Sequence, residues 1–353
     1  MKRSTRKYAS GGSAVLRNVG RTFFFLFWTL LLTAAVLFGV IYVMEKGPSP
    51  TLTATFCRSM RETSALRWVP TVFLSEEEAD AFKAEVTEDR ETEAVNTSLI
   101  HIAAGDETAA ATSDTPALQL IDIAEGRVKG KLLIVKDPSR IILGTSDNLG
   151  HQAGLQLTAL VAKYNGVAGI NAGGFNDENG LGNGGIPQGL VITDGELAWG
   201  NPGTTYNVIG FDNDNILHVG RMTARDALAI GVKNAVSFVT HDGLASALVI
   251  NGEVQTQNLA GGVNPRTAIG QRADGAVLLL VLDGRSINTM GATMENTCDI
   301  LLQYGAVNAA NLDGGSSSVM VYDGEIINHC ASVTGPRSIP TGFIVLPEEV
   351  SHG

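Results

Sequence analysis

The sequence predicts an α/β domain of the mixed α+β kind, a strand-rich sheet with packed helices, preceded by one N-terminal transmembrane helix. Three observations predict it. Short aliphatic and β-branched runs at 189–193, 206–211, 236–239, 247–251 and 276–282 are separated by Gly and Asn, the punctuation of strands and turns. Residues 153–164 place Leu157, Leu160, Val161 and Tyr164 at i, i+3, i+4 and i+7, the stripe of a helix lying on a sheet. An uncharged apolar run covers 23–44. With 353 residues, 44% hydrophobic and 17% charged, the chain has material for a sizeable core, and nothing in it suggests a fibrous or wholly disordered protein.

Residues 1–21 carry Lys2, Arg3, Arg6, Lys7, Arg17 and Arg21 and no acid. The apolar run that follows, at about 1.5 Å per residue, is about 33 Å long, enough for a bilayer core. It reads as a single-pass anchor at 22–44 with a cytoplasmic basic tail at 1–21, by the excess of basic residues on the inner side. A cleaved signal peptide is the competing reading, against which stand the length of the run and the lack of a clear A-x-A site. Everything after Glu45 is then extracytoplasmic, on a cell membrane. Setting the six basic residues of the tail aside turns the formal charge of −11 into −17 for the exported part. Phosphate-backbone binding relies on concentrated Lys and Arg, so no nucleic-acid partner is expected.

Residues 45–117 read as a stalk and linker. Gly47-Pro48-Ser49-Pro50 makes a stiff spacer. Within 57–85 two short helices are expected around Trp68-Val69-Pro70, the second capped by Ser75 with Glu78 three positions on. From Thr87 to Pro116 the chain is rich in Glu, Thr, Ala and Asp and reads as solvated linker. The globular domain covers 118–348. Strands are expected at 118–123 and 131–135, paired, and at 141–143. A strand at 167–170 follows the helix at 153–164, and further helices fall at 223–230 and 292–304.

The stretch 305–322 carries the clearest chemistry. An apolar segment runs to Leu312, then come Asp313, Gly314, Gly315 and the serines Ser316, Ser317 and Ser318. A carboxylate at a strand end, followed by backbone able to turn sharply, is how an active-site loop is built; Asp-Gly is also a common hairpin connection. Three other places join glycine to a polar residue at a strand end: Asn171-Ala172-Gly173-Gly174-Phe175, Arg266-Thr267-Ala268-Ile269-Gly270 and Asp283-Gly284-Arg285.

In this order and spacing, with a helix entered near Glu295 and Asn311-Leu312-Asp313-Gly314-Gly315 followed by serines, the segments resemble the phosphodiester glycosidase family over roughly 120–347. The resemblance implies a hydrolase that cleaves a sugar-1-phosphodiester, the family's known reaction being removal of N-acetylglucosamine from a phosphodiester-linked mannose. One departure stands out: the family loop reads DGGGSS, and Ser316 occupies the third glycine position. Cleavage at an anomeric carbon requires a carboxylate against an oxocarbenium-like transition state and donors for the departing phosphate. The resemblance and the strand-end positions make Asp313 the first catalytic candidate and Asp283 the second, with Glu295 orienting Arg266 or Arg285 through an ion pair. Arg266 would take phosphate oxygens bidentately. The backbones of Gly173, Gly174, Gly314 and Gly315 would make anion-holding concavities. Asn171 and Asn311 offer amides, Thr267, Ser317 and Ser318 offer hydroxyls, and Arg285 a further cation to the substrate.

No cofactor is implied. His151, His218, His241 and His329 show no zinc spacing. Asp212-Asn213-Asp214-Asn215 starts like a calcium loop and lacks the partner positions, so it reads as a polar turn; a cation at 176–183 is left open. Of Cys57, Cys298 and Cys330, the last two flank the Asp313 loop and form a candidate disulfide. No GxSxG elbow surrounds Ser317, against a serine hydrolase. Two functions follow: a membrane-anchored extracytoplasmic hydrolase acting on phosphodiester-linked sugars of the envelope or of exopolysaccharide, or a glycan-binding or polysaccharide-assembly module with the same cleft.

Overall fold

The computed structural model describes residues 11–348 apart from 64–65, 84–92, 103–115, 177–182, 241–242, 244, 287–288 and 333–334. Helix α1 (Gly11–Lys46) contains the stretch Asn18–Lys46, long and apolar enough to cross a membrane; its most apolar window has a mean hydropathy of 2.4, and none of that window is buried in protein. Helix α2 (Pro50–Arg61) begins where the sequence predicts a spacer. Ser49 caps it by accepting from the Leu52 N–H at 3.3 Å, and Pro50 sits in the first turn, where its missing N–H has no cost. Helix α3 (Glu76–Asp80) has the expected capping box, with Ser75 and Glu78 each accepting from the other's backbone N–H. Phe73 packs edge-on against Phe38 and Tyr42 of α1.

Part of the expected linker is in fact bound to the domain. The N–H of Asn96 donates to Asn251 Oδ1 at 2.7 Å, Asn251 Nδ2 donates to the Ala94 carbonyl, and the N–H of His101 donates to the Ala273 carbonyl. Ile100 is buried and Val95 lies on the core. Two such residues in a largely polar stretch are too few to register as periodicity, yet both pack onto the domain.

Among the described residues the domain has three large antiparallel sheets around one core and one two-stranded pair beside them. The largest orders its strands Leu118–Glu125, Val128–Val135, Val277–Leu282, Arg266–Arg272, Ala306–Asn311, Ala247–Ile250 and Glu253–Val254. A second runs Glu196–Trp199, Val191–Thr193, Val232–Ser237, Thr205–Asp212, Leu217–Thr223. A third runs Glu325–Ile326, Met320–Tyr322, Ala168–Asn171, Thr341–Val345, Ile141–Thr145. Each sheet turns one face to the common core, where Ile269, Leu279, Phe211, Val219, Ile170 and Phe343 meet. Each covers its other face with a helix. Helix α4 (Leu157–Lys163) lies on the third sheet, α5 (Ala224–Ala229) on the second and α6 (Met294–Gln303) on the first.

The two-residue period of a strand decides which side chain goes where. In Val277–Leu282, Val277, Leu279 and Val281 face the core while Leu278, Leu280 and Leu282 face α6. Strands buried on both faces read as continuous apolar runs, as this one does. Helix α4 is shorter than the sequence predicts, because Leu155–Gln156 pairs as a short strand with Ser338–Ile339.

Candidate active site

All four glycine-bearing segments converge at one end of the core, and Asn171 joins three of them. It ends the strand Ala168–Asn171 and is buried. Its Nδ2 donates to the Asp313 carbonyl at 2.6 Å, while its Oδ1 accepts from Thr267 Oγ1 at 2.8 Å and from the Val319 N–H at 3.1 Å. The Asp313 N–H donates to the Ala172 carbonyl at 3.0 Å, and the Leu312 N–H to the Thr267 carbonyl at 2.8 Å. The loop bearing Asp313 is thus fixed at both flanks by residues more than 40 positions away. The amide of Asn171 and the hydroxyl of Thr267, expected on the substrate, are committed to this clasp.

The next residues explain their own identities. Gly314 approaches so closely that a Cβ would lie 2.9 Å from the Pro265 carbonyl oxygen. Gly315 has φ +64° and donates its N–H to that same carbonyl at 3.0 Å. A 3-10 turn, Gly315–Ser317, follows. Ser316 lies within it and is not among the residues with positive φ, so a side chain is tolerated where the sequence departs from the DGGGSS pattern. Its Oγ accepts from Arg337 Nη1 at 3.3 Å. Ser317 and Ser318 are buried. Ser318, 2% exposed, and Asn311, 1% exposed, hold Oγ and Oδ1 atoms with no hydrogen-bond partner among the described residues. Buried polar atoms without partners are uncommon and call for an explanation.

Asp283 follows its strand into the same region. Gly284 abuts Pro265 and Ala331, and Asp283 Oδ1 accepts from the His329 N–H at 2.9 Å. Burial pushes its carboxyl up from the ordinary value, against the His329 N–H and the charges of His329, Lys131 and Lys129.

The cations are placed differently from expectation. Arg266 and Thr267 point to opposite faces of their strand. Thr267 goes to the clasp, whereas Arg266, 5% exposed, faces the α6 side. There Glu62, from the turn after α2, accepts from Arg266 Nη2 at 2.9 Å, from Asn264 Nδ2 at 2.6 Å and from the Gly262 N–H at 2.7 Å. Arg266 also donates to the carbonyls of Gly262 and Ala292. The carboxylate that meets Arg266 is therefore Glu62 and not Glu295, which is exposed in the first turn of α6. Arg285 is exposed and donates to the Val263 carbonyl at 2.6 Å. The glycine backbone expected to cradle an anion is largely occupied: Gly173 N–H donates to Thr341 Oγ1, Gly174 N–H to the Ser237 carbonyl and Gly315 N–H to Pro265.

Arg337 and Glu62 are the residues that sequence reasoning missed. Neither lies in a glycine-bearing segment, and only the packing reveals them. The thiols expected to pair are all free: Cys298 sits under the large sheet with α6 and Cys330 in the cluster around α4. Asp212 is a turn residue, accepting from the N–H groups of Asp214 and Ile216 and from buried His218 at 2.7 Å. The loop 176–183 falls mostly outside the described residues.

The strand-rich α+β domain has a fold shared with a known enzyme. The zebrafish N-acetylglucosamine-1-phosphodiester alpha-N-acetylglucosaminidase catalytic domain, auto-inhibited by its pro-peptide, superposes with a TM-score of 0.55 at 21% identity, covering 67% of this chain and 85% of that one. The family model for phosphodiester glycosidase matches residues 164–346, just over half of the chain, and the chain belongs to that family. The SPbeta prophage-derived uncharacterized protein YomE of Bacillus subtilis (strain 168) is 27% identical over 224 residues, 60% of this chain and 32% of that protein. The mouse N-acetylglucosamine-1-phosphodiester alpha-N-acetylglucosaminidase is 26% identical over 154 residues, 40% of this chain and 30% of that protein. The chain spans about a third of the length of these relatives.

Proposed function

We propose that the protein is a membrane-anchored, extracytoplasmic hydrolase that cleaves sugar-1-phosphodiester linkages in envelope or exopolysaccharide glycans. The observation that carries this reading is the clasp of Asn171 on the Asp313 loop. A hairpin connection needs no such bracing, whereas a carboxylate that must meet an anomeric carbon does, because catalysis depends on holding the reacting group in place. Asp313 acts on the anomeric carbon as nucleophile or as base for water, and Asp283 is the second carboxyl of the site. A phosphodiester leaves readily, so the reaction needs no strong general acid. Asn311 and Ser318, whose Oδ1 and Oγ have no partner among the described residues, are the amide and hydroxyl read as serving the sugar, which they meet once the closed loop around them shifts. Helix α1 anchors the chain, and helix α2 and the turn holding Glu62 tie the catalytic domain close to it.

The test uses the full chain in detergent micelles with N-acetylglucosamine-1-phospho-methyl diester and related sugar phosphodiesters. Sugar released by the wild type and lost in Asp313→Asn supports the reading. Failure of every diester, with envelope glycan still bound, replaces the enzyme with a binding module.

A further inference from the structure

A phosphodiester brings a negative charge to a site that already holds the carboxyls of Asp313 and Asp283, so a cation is required close to the Asp313 loop. Arg266 is turned to the α6 face and neutralised by Glu62. Arg285 donates to the Val263 carbonyl at 2.6 Å, beside the same Glu62. The N–H groups of Gly173, Gly174 and Gly315 are committed within the protein.

Arg337 lies elsewhere. Its guanidinium stands over the ring of Phe175, 5.3 Å from the centroid, and its Nη1 donates to Ser316 Oγ at 3.3 Å. Phe175 ends the Asn171-Ala172-Gly173-Gly174 segment, and Ser316 is three residues beyond Asp313. The guanidinium therefore bridges the two segments that the Asn171 clasp joins. The aromatic face sets its plane, and the hydroxyl sets its rotation within that plane. A planar fork held in this way matches the oxygens of a phosphate.

We propose that Arg337 holds the substrate's phosphate group, with Ser316 and Phe175 as the residues that position it; this rests on the phosphodiester reading above. The Ser at the third position of the glycine loop is then a specificity feature: it supplies the acceptor that aims Arg337.

The experiment titrates N-acetylglucosamine 1-phosphate and inorganic phosphate into the full chain in detergent micelles by calorimetry, at low ionic strength. Charge-assisted hydrogen bonds of this kind carry about tenfold to hundredfold in affinity. R337Q is expected to lose that much and S316G part of it, while R266Q, titrated below a melting temperature measured for that variant so that the chain is folded, is expected to lose none. R337K, which keeps the charge without the fork, serves as the folded comparison, with a partial loss expected. The proposal is overturned if R337Q binds phosphate as the wild type does, if R266Q is the variant that loses it, or if the wild type binds neither ligand. Sugar release from the diester is read separately: a wild type that binds phosphate through Arg337 and releases no sugar sinks the glycosidase reading and leaves the anion site standing.

Discussion

Asn171 Nδ2 and the Asp313 carbonyl oxygen are 2.6 Å apart, and through that bond the end of one sheet sets the position of a carboxylate on another. The same side chain accepts from Thr267 and Val319, so its three bonds form one buried network. Replacing Asn171 with Ala leaves the Thr267 hydroxyl and the Val319 N–H unsatisfied, at a cost of about 3 kcal/mol. Asn171→Asp keeps the acceptors but sets an oxygen against the Asp313 carbonyl. Both variants are expected to melt lower than the wild type and to lose turnover about a hundredfold, the consequence of a reacting group displaced by an ångström or so. A folded N171A with wild-type turnover would show that the clasp is scaffold alone.

Glu62 offers a second measurement. Its carboxylate neutralises a buried guanidinium and closes three hydrogen bonds between the turn after α2 and the domain. Removing one partner of a buried pair leaves the other charge stranded, which costs about 3 kcal/mol or more. Glu62→Ala is therefore expected to lower the thermal midpoint by on the order of 10 °C. Glu62→Gln, which retains an acceptor for the Gly262 N–H, is expected to lose less. Equal melting of E62A and wild type would mean that α2 and its turn are not docked in solution.

Much of this architecture was legible in the sequence, and the reason is period. Val277–Leu282 reads as a doubly buried strand because both faces are apolar, and Asp313, Asn171 and Asp283 announce themselves by standing where such runs meet glycine. What sequence could not supply is facing. Arg266 and Thr267 are neighbours in one segment, yet the strand turns one to Glu62 and the other to Asn171. Arg337 lies in a stretch with no regular pattern, and Glu62 lies more than 200 residues from its partner Arg266. Asn96 and Ile100 escaped notice because a docked segment of irregular backbone has no period to detect.

The thiols give a third prediction. Burial pushes Cys57 and Cys298 up to about 11, helped for Cys298 by Asp299 and Glu295. At pH 8 roughly one in a thousand of such groups is the reactive thiolate. Iodoacetamide is expected to label the native chain once, at the half-buried Cys330, and three times in denaturant. Intact mass and peptide mapping read this directly. Detection of a Cys298–Cys330 disulfide in the isolated protein would contradict the separation of the two side chains.

The last prediction concerns Asp283 and pH. Burial holds its carboxyl above the ordinary value, so the folded chain gives up this proton less readily than the unfolded one. Below about pH 4 the group is protonated in both states and contributes no penalty. As pH rises through the folded value, the folded state must ionise a buried carboxyl, and stability is lost relative to the low-pH condition. Asp283→Asn removes that ionisation while keeping an oxygen to accept from the His329 N–H. The variant is therefore expected to melt higher than the wild type at pH 7, with the difference shrinking to nothing as pH falls through about 4. Lower turnover with higher stability would mark Asp283 as a residue kept for chemistry at the expense of the fold. If D283N melts lower at pH 7, the His329 N–H and the nearby lysines outweigh burial, and the carboxylate is a structural acceptor.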